Sequence, residues 1–128
     1  MIKKILIVDD NPRDVHLSIL TIRTDGYSFR QATSGEEAME IASRERPDLI
    51  LMDIQMPKLN GLNATRILRQ VPDYYNIPII EVSGYTQERD KETILKAGCD
   101  TFLPKPINTR KLHRLVKERR PLNALSYI

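Results

Sequence analysis

Short apolar runs alternate with amphipathic stretches along this chain. Ile5-Leu6-Ile7-Val8 is continuous and rich in β-branched residues, the pattern of a strand buried on both faces. Asp9 and Asp10 end it. Pro12 suits the first turn of a helix, and Val15, Ile19 and Ile22 fall on one face of that helix. Asp25-Gly26 closes it, and Tyr27 to Thr33 reads as a second, weaker strand. Ser34 followed by Glu37 has the spacing of a capping box. The helix it opens turns Ala38, Ile41 and Ala42 inward and stops before Pro47. Asp48 to Met52 is a third buried-strand pattern, with Asp53 at its end. A loop containing Pro57, Asn60 and Gly61 leads into a helix over Leu62 to Gln70, with Ile67 and Leu68 apolar. Ile77 to Val82 is the fourth strand. Gln87 to Ala97 is a polar helix with Ile94 and Ala97 as its main apolar positions, closed by Gly98. Thr101-Phe102-Leu103 is a short fifth strand. Thr109 to Arg119 is an amphipathic helix with Leu112, Leu115 and Val116 on one side, ended by Pro121.

Five strand–helix alternations predict an α/β domain with a parallel sheet covered on both faces, because each right-handed crossover needs a helix. The chain has 128 residues, one domain's worth, and shows no repeat or linker. The expected organisation is one domain over 1–120 and a short tail over 121–128. Cys99 is the only cysteine, so no internal disulfide can form, which fits a reducing compartment. No apolar run approaches the roughly 20 residues that span a bilayer, and the first residues lack a secretory apolar region. A cytoplasmic protein is expected.

The net charge of +3 is unevenly spread. Residues 105–120 carry seven basic side chains against Glu118. Such a stretch can attract nucleic acid or anionic lipid. With no interleaved aromatics and no accompanying DNA-binding module, a solvated helix face plus one functional lysine is the simpler reading.

In open α/β sheets, ligands gather beyond the carboxyl ends of the strands. Strand one ends in Asp9 and Asp10, strand three in Asp53 and strand four in Ser83, and strand five is followed by Lys105-Pro106. Each residue alone is ordinary: a strand-end Asp is commonly a cap or loop residue, and most lysines are solvated. Together they are not. Three converging carboxylates repel unless something positive binds, and Mg2+ takes one or two carboxylates plus phosphate oxygens. A lysine supplies a point charge against phosphate, and a serine a hydroxyl donor. Carboxylates, metal, lysine and hydroxyl together describe a phosphoryl-transfer site.

These blocks resemble the receiver domain of two-component response regulators. The matching pieces are Ile5 to Asn11, then Asp48 to Pro57 with Gly61 closing the loop, then Pro78-Ile79-Ile80 leading to Ser83-Gly84, then Lys105-Pro106. The resemblance covers about residues 2–120 and looks like the stand-alone type. It implies a flavodoxin-like (βα)5 three-layer sandwich with strand order 2-1-3-4-5. It implies that Asp53 accepts a phosphoryl group from a phosphohistidine of a sensor histidine kinase or a histidine phosphotransfer protein. Mg2+, with Mn2+ as a possible substitute, would be held by Asp10, by Asp9 mainly through water, by Asp53 and by the main-chain carbonyl of Gln55. Lys105 would pair with the phosphoryl oxygens and Ser83 would swing in to hydrogen-bond them. Phe102 would sit at the aromatic switch position, and Pro106 would follow a cis bond. A downstream protein would read the state from the fourth helix, fifth strand and fifth helix. Gln55 and Tyr85 would occupy the positions that tune phosphoryl lifetime. No turnover enzyme, DNA-binding domain or membrane segment is implied, and the oligomeric state, monomer or weak dimer, is open.

Several residues are particular to this chain. Ser83 lacks the methyl of the commoner threonine, and Phe102 lacks a tyrosine hydroxyl; a plain core aromatic is its other reading. Glu81 is the oddest, a carboxylate between Ile80 and Val82 in a strand that should be buried. It is expected to meet a basic side chain near the fourth-helix edge or to reach solvent. His16 and His113 are isolated on helices, Cys99 at a helix end reads as structural, and Met52 and Met56 as packing residues. Four rival functions remain. A haloacid-dehalogenase-type phosphatase wants a second aspartate two residues after the nucleophile, where this chain has Gln55, which cannot shuttle a proton. Neither glycine-rich nucleotide-binding loop follows the first strand. A nucleic-acid binder would use the basic last helix. A phosphorylation-independent protein-binding module is the main alternative.

Overall fold

The computed structural model describes residues 4–23, 26–56, 60–84 and 88–118. The elements run β1 (Lys4–Val8), α1 (Pro12–Ile22), β2 (Ser28–Ala32), α2 (Gly35–Arg44), β3 (Leu49–Asp53), α3 (Gly61–Gln70), β4 (Ile79–Ser83), α4 (Glu88–Lys96), β5 (Thr101–Pro104) and α5 (Thr109–Glu118). Five parallel strands form one sheet in the order β2-β1-β3-β4-β5. This is the flavodoxin-like architecture expected. A 3-10 turn at Pro72–Tyr74, absent from the sequence reading, joins α3 to β4.

Three local devices set where the helices begin. Asn11, Ser34 and Asn60 are the N-caps of α1, α2 and α3, and each side-chain oxygen accepts a backbone N–H of the first turn. Two of those helices start at the carboxyl ends of β1 and β3, so capping places their first turns at the site.

The core lies in two layers, one on each face of the sheet. On one side, Leu6, Val8, Ile50, Met52 and Ile79 meet Ala38, Ile41 and Ala42 of α2, Ala64 and Leu68 of α3, and Ile94 of α4. On the other, Ile5, Ile7, Leu49, Leu51, Ile80 and Leu103 meet Val15 and Ile22 of α1 and Leu112 and Val116 of α5. Each fully buried Ile or Leu contributes roughly 1.5–3 kcal/mol relative to exposure. That explains why β3 and β4 are apolar without alternation, apart from their functional ends and Glu81. The weak second strand is the sheet edge: Arg30 and Gln31 are exposed, and Arg30 pairs with Glu45 at 2.8 Å.

The helix faces differ from the pattern in detail. In α1, Ser18 is buried with Val15 and Ile22, while Ile19 is half-buried. In α3, Ile67 is exposed, and the inner face is Ala64, Thr65 and Leu68. Thr65 faces inward because it has a polar partner there. Glu81 is 0% exposed, and no salt bridge reaches it among the described residues. The expected basic partner or solvent contact is therefore wrong. Its carboxyl is hydrogen-bonded to Thr65 Oγ1, and Oε2 has no hydrogen-bond partner among the described residues. Burial pushes the Glu81 carboxyl up to about 8, with the Arg69 charge acting against that rise and the Asp53 charge adding to it. Tyr85 and the tail over 121–128 lie outside the described residues.

Candidate functional site: an acidic rim with one lysine

Asp9 follows β1 directly, and Asp53 is the last residue of β3; both are buried, while Asp10 is exposed. One carboxylate oxygen from each of the three lies within 4.8 Å of the others. The two buried aspartates are oriented in the same way. Asp9 Oδ1 accepts the N–H of Asn11 at 2.9 Å, and Asp53 Oδ1 accepts the N–H of Gln55 at 3.0 Å. In each, the chain folds back on its own carboxylate two residues later, the Asx-turn habit of aspartate. In each, Oδ2 is left facing Lys105, whose Nζ stands 3.5 Å from Asp9 Oδ2 and 3.5 Å from Asp53 Oδ2.

Lys105 is placed by its own backbone. Its N–H donates to the carbonyl of Ser83 at 2.7 Å, tying the segment after β5 to the end of β4, and the Lys105–Pro106 peptide is cis. Ser83 is itself buried at that strand end. Phe102 stands in register with Glu81 on the neighbouring strand, half-buried against the layer formed by α2, α3 and α4. Gln55 is exposed, and its side-chain oxygen lies against Gly84, where an added Cβ would come within 3.3 Å of it.

Gly61 brings α3 onto the site. A Cβ there would fall 2.2 Å from the Asp53 carbonyl oxygen and 2.9 Å from Met52 Cγ. Only glycine lets the first turn of α3 approach the backbone of Asp53 this closely.

Burial raises the Asp9 carboxyl to about 6, and the Asp53 charge adds to that, against the Asn11 N–H and Lys105. Burial alone would lower the Lys105 ammonium. The Asp14 hydrogen bond and the carboxylates of Asp9, Asp53 and Asp14 outweigh it, and the net shift is upward. A site whose buried carboxylates are short of positive charge suits a hard cation with oxygen preference. The donor set of Asp9, Asp10 and Asp53 fits Mg2+ or Mn2+.

Sequence reasoning missed Asp14. Its Oδ2 is 2.8 Å from Lys105 Nζ, closer than either Asp9 or Asp53. The available signal was its place three residues after the Asn11 cap, in the first turn of a helix that starts at the rim. His16 is exposed, and His113 lies with Leu20, Thr21, Thr109 and Arg110 along a groove between α1 and α5. Cys99 is buried and Met52 and Met56 are core residues. Among the described residues, no helix is long and apolar enough to cross a membrane.

A parallel sheet in this strand order, with carboxylates and a lysine at its carboxyl edge, defines a doubly wound α/β domain with a charged site at its rim. The sequence profile of the response regulator receiver domain matches residues 5–117. The polar-differentiation response regulator DivK of Brucella ovis is 36% identical over 117 residues, covering 91% of this chain and 95% of that protein. The chemotaxis protein CheY4 of Vibrio cholerae superposes with a TM-score of 0.84 at 27% identity, covering 91% of this chain and 98% of that one. The manganese-bound response regulator Rcp1 superposes with a TM-score of 0.77 at 26% identity, covering 90% and 89%. This chain belongs to the response regulator receiver domain family, and it is a signalling protein of the two-component type rather than a turnover enzyme.

Proposed function

We propose that this chain is a phosphorylatable switch that acts as a response regulator. The observation that carries the reading is the placement of Lys105 Nζ, 3.5 Å from Oδ2 of Asp53, beside carboxylates that fit a divalent cation. Asp53 Oδ2 attacks the phosphorus of a phosphohistidine on a sensor kinase or phosphotransfer protein. The P–N bond breaks, the imidazole leaves, and an acyl phosphate forms on Asp53. Lys105 then meets the new phosphoryl oxygens, and Ser83 turns its hydroxyl toward them. Asp9, Asp10, Asp53 and the Gln55 carbonyl would hold Mg2+, which supplies charge neutralisation when bound. Slow attack by water on phosphorus releases inorganic phosphate and restores the Asp53 carboxylate. Gln55, lying over Gly84, and Tyr85 are placed in this reading to govern access of that water.

The new charge biases a two-state element. Phe102 turns inward as Ser83 moves, and a downstream protein reads the change on α4, β5 and α5. The domain is assigned to residues 1–120, with 121–128 as a tail, in the cytoplasm. The test is intact mass after incubation with a small-molecule acyl phosphate, with and without Mg2+, for wild type and Asp53→Asn. A single Mg2+-dependent adduct, absent in Asp53→Asn, supports the switch. No adduct under any condition overturns it in favour of a phosphorylation-independent binding module.

A further inference from the structure

Lys105 is closest not to the residues of the switch site but to Asp14, on the first turn of α1. The 2.8 Å separation from Asp14 Oδ2 is that of a charge-assisted hydrogen bond, whereas the 3.5 Å separations from Asp9 and Asp53 are loose. The pair is sheltered: the side chains of Lys105 and Asp14 are 20% and 24% exposed. An acidic residue in a first helical turn commonly serves the helix dipole. This one reaches across to the segment after β5 instead. Asp53 Oδ1 is already committed to the Gln55 N–H, so Oδ2 is the oxygen left to attack.

We propose that Asp14 is a positioning residue for Lys105. Its carboxylate draws the ammonium toward α1 and loosens its hold on Asp53 Oδ2, so that this oxygen can attack and the lysine turns to the phosphoryl oxygens once they arrive. The proposal rests on the reading of Asp53 as phosphoacceptor. It adds a fourth carboxylate to the site, one that acts through the lysine rather than on the metal. Without Asp14, Lys105 settles on Asp53 Oδ2 and Asp9 Oδ2, where it blunts the nucleophile and competes with a cation. The N-cap links both ends of this device: the Asn11 N–H fixes Asp9, and the Asn11 side chain starts the turn that carries Asp14.

The test is a double-mutant cycle of wild type, Asp14→Asn, Lys105→Ala and the double variant, each phosphorylated by a small-molecule acyl phosphate at saturating Mg2+. Asp14→Asn is expected to slow phosphorylation about three- to tenfold where Lys105 is present. In the Lys105→Ala background it should change the rate less than about twofold. Asp14→Glu, which keeps the carboxylate, should restore most of the wild-type rate. The same slowing in both backgrounds, which a helix-capping role or a general charge effect would produce, overturns the proposal.

Mg2+ affinity in the same four proteins, measured by calorimetry, gives a readout without phosphorylation. Asp14→Asn should weaken Mg2+ more with Lys105 present than in the Lys105→Ala background; equal weakening counts against the proposal. If wild type takes no phosphate, the proposed function falls, while the calorimetric arm still decides whether Asp14 acts through Lys105.

Discussion

The hydroxyl of Thr65 lies in hydrogen-bond contact with the carboxyl of Glu81 on one side and 2.8 Å from the carbonyl of Gly61 on the other. A hydroxyl has one proton and cannot donate to both. Both contacts are satisfied at once if Glu81 is protonated: its O–H donates to Thr65 Oγ1, and Thr65 donates to Gly61. The geometry thus agrees with a carboxyl pushed up by burial to about 8. The link also ties β4, two residues before Ser83, to the glycine that packs on Asp53.

A pH dependence of stability follows. The folded value of Glu81, about 8, lies above its ordinary 4.5. Its contribution is full below about pH 4.5 and is lost as pH rises through about 8, because the unfolded chain releases the proton first. Denaturant unfolding at pH 5 and at pH 8.5 should show wild type losing a few kcal/mol from this group across that window, at up to about 1.4 kcal/mol per pH unit. Glu81→Gln, which stays neutral, should be flatter by that amount. Equal slopes in the two proteins would show that Glu81 is ionised throughout.

Gly61→Ala should damage both stability and the site. The new methyl would meet the Asp53 carbonyl and its carbon, neither of which is the end of a flexible side chain. Overpacking of this kind costs about 1–3 kcal/mol or more. Because the displaced group is the backbone of Asp53, phosphorylation under folded conditions should fall as well. A variant with wild-type stability and wild-type phosphorylation would mean that α3 and Asp53 sit farther apart than described.

Arg69 should matter for stability and not for chemistry. Its guanidinium donates to the carbonyls of Tyr74, Tyr75, Ile77 and Gly98 and pairs with Asp100 at 3.2 Å. Asp100 in turn accepts the N–H of Ile79 at 2.7 Å. This cluster joins α3, the 3-10 turn and the starts of β4 and β5, at the opposite end of the sheet from the site. Arg69→Met should cost about 3–5 kcal/mol, since it removes the positive charge that pairs with a buried carboxylate. The phosphorylation rate of the protein that remains folded should be unchanged; a large rate loss would reveal coupling along β4.

Cys99 should be inert in the native protein. Burial pushes its thiol up to about 12, which leaves only about one thiolate in ten thousand at pH 8. A thiol reagent should label it slowly in buffer and rapidly in denaturant. Fast native labelling would place Cys99 at the surface.

The apolar runs at Ile5, Leu49 and Ile79, the helix-start Pro12 and the cap residue Ser34 were legible because strand burial and helix capping are local: they depend on residue type and spacing within a few positions. The rim residues Asp9, Asp10, Asp53, Ser83 and Lys105 were legible for a related reason, since a parallel sheet delivers all its strand ends to one edge. Asp14, Gly61 and the Thr65–Glu81 contact belong to the tertiary structure. Their roles depend on which helix lies over which strand, and each looks ordinary in sequence: an acid in a first turn, a loop glycine, a helical threonine, a charge in a strand. Glu81 shows the difference most clearly. The chain marks it as out of place, but only the packing of α3 on β4 decided that its partner is a neutral hydroxyl rather than a cation, because that contact is made across 16 residues of chain by two side chains with no shared local pattern.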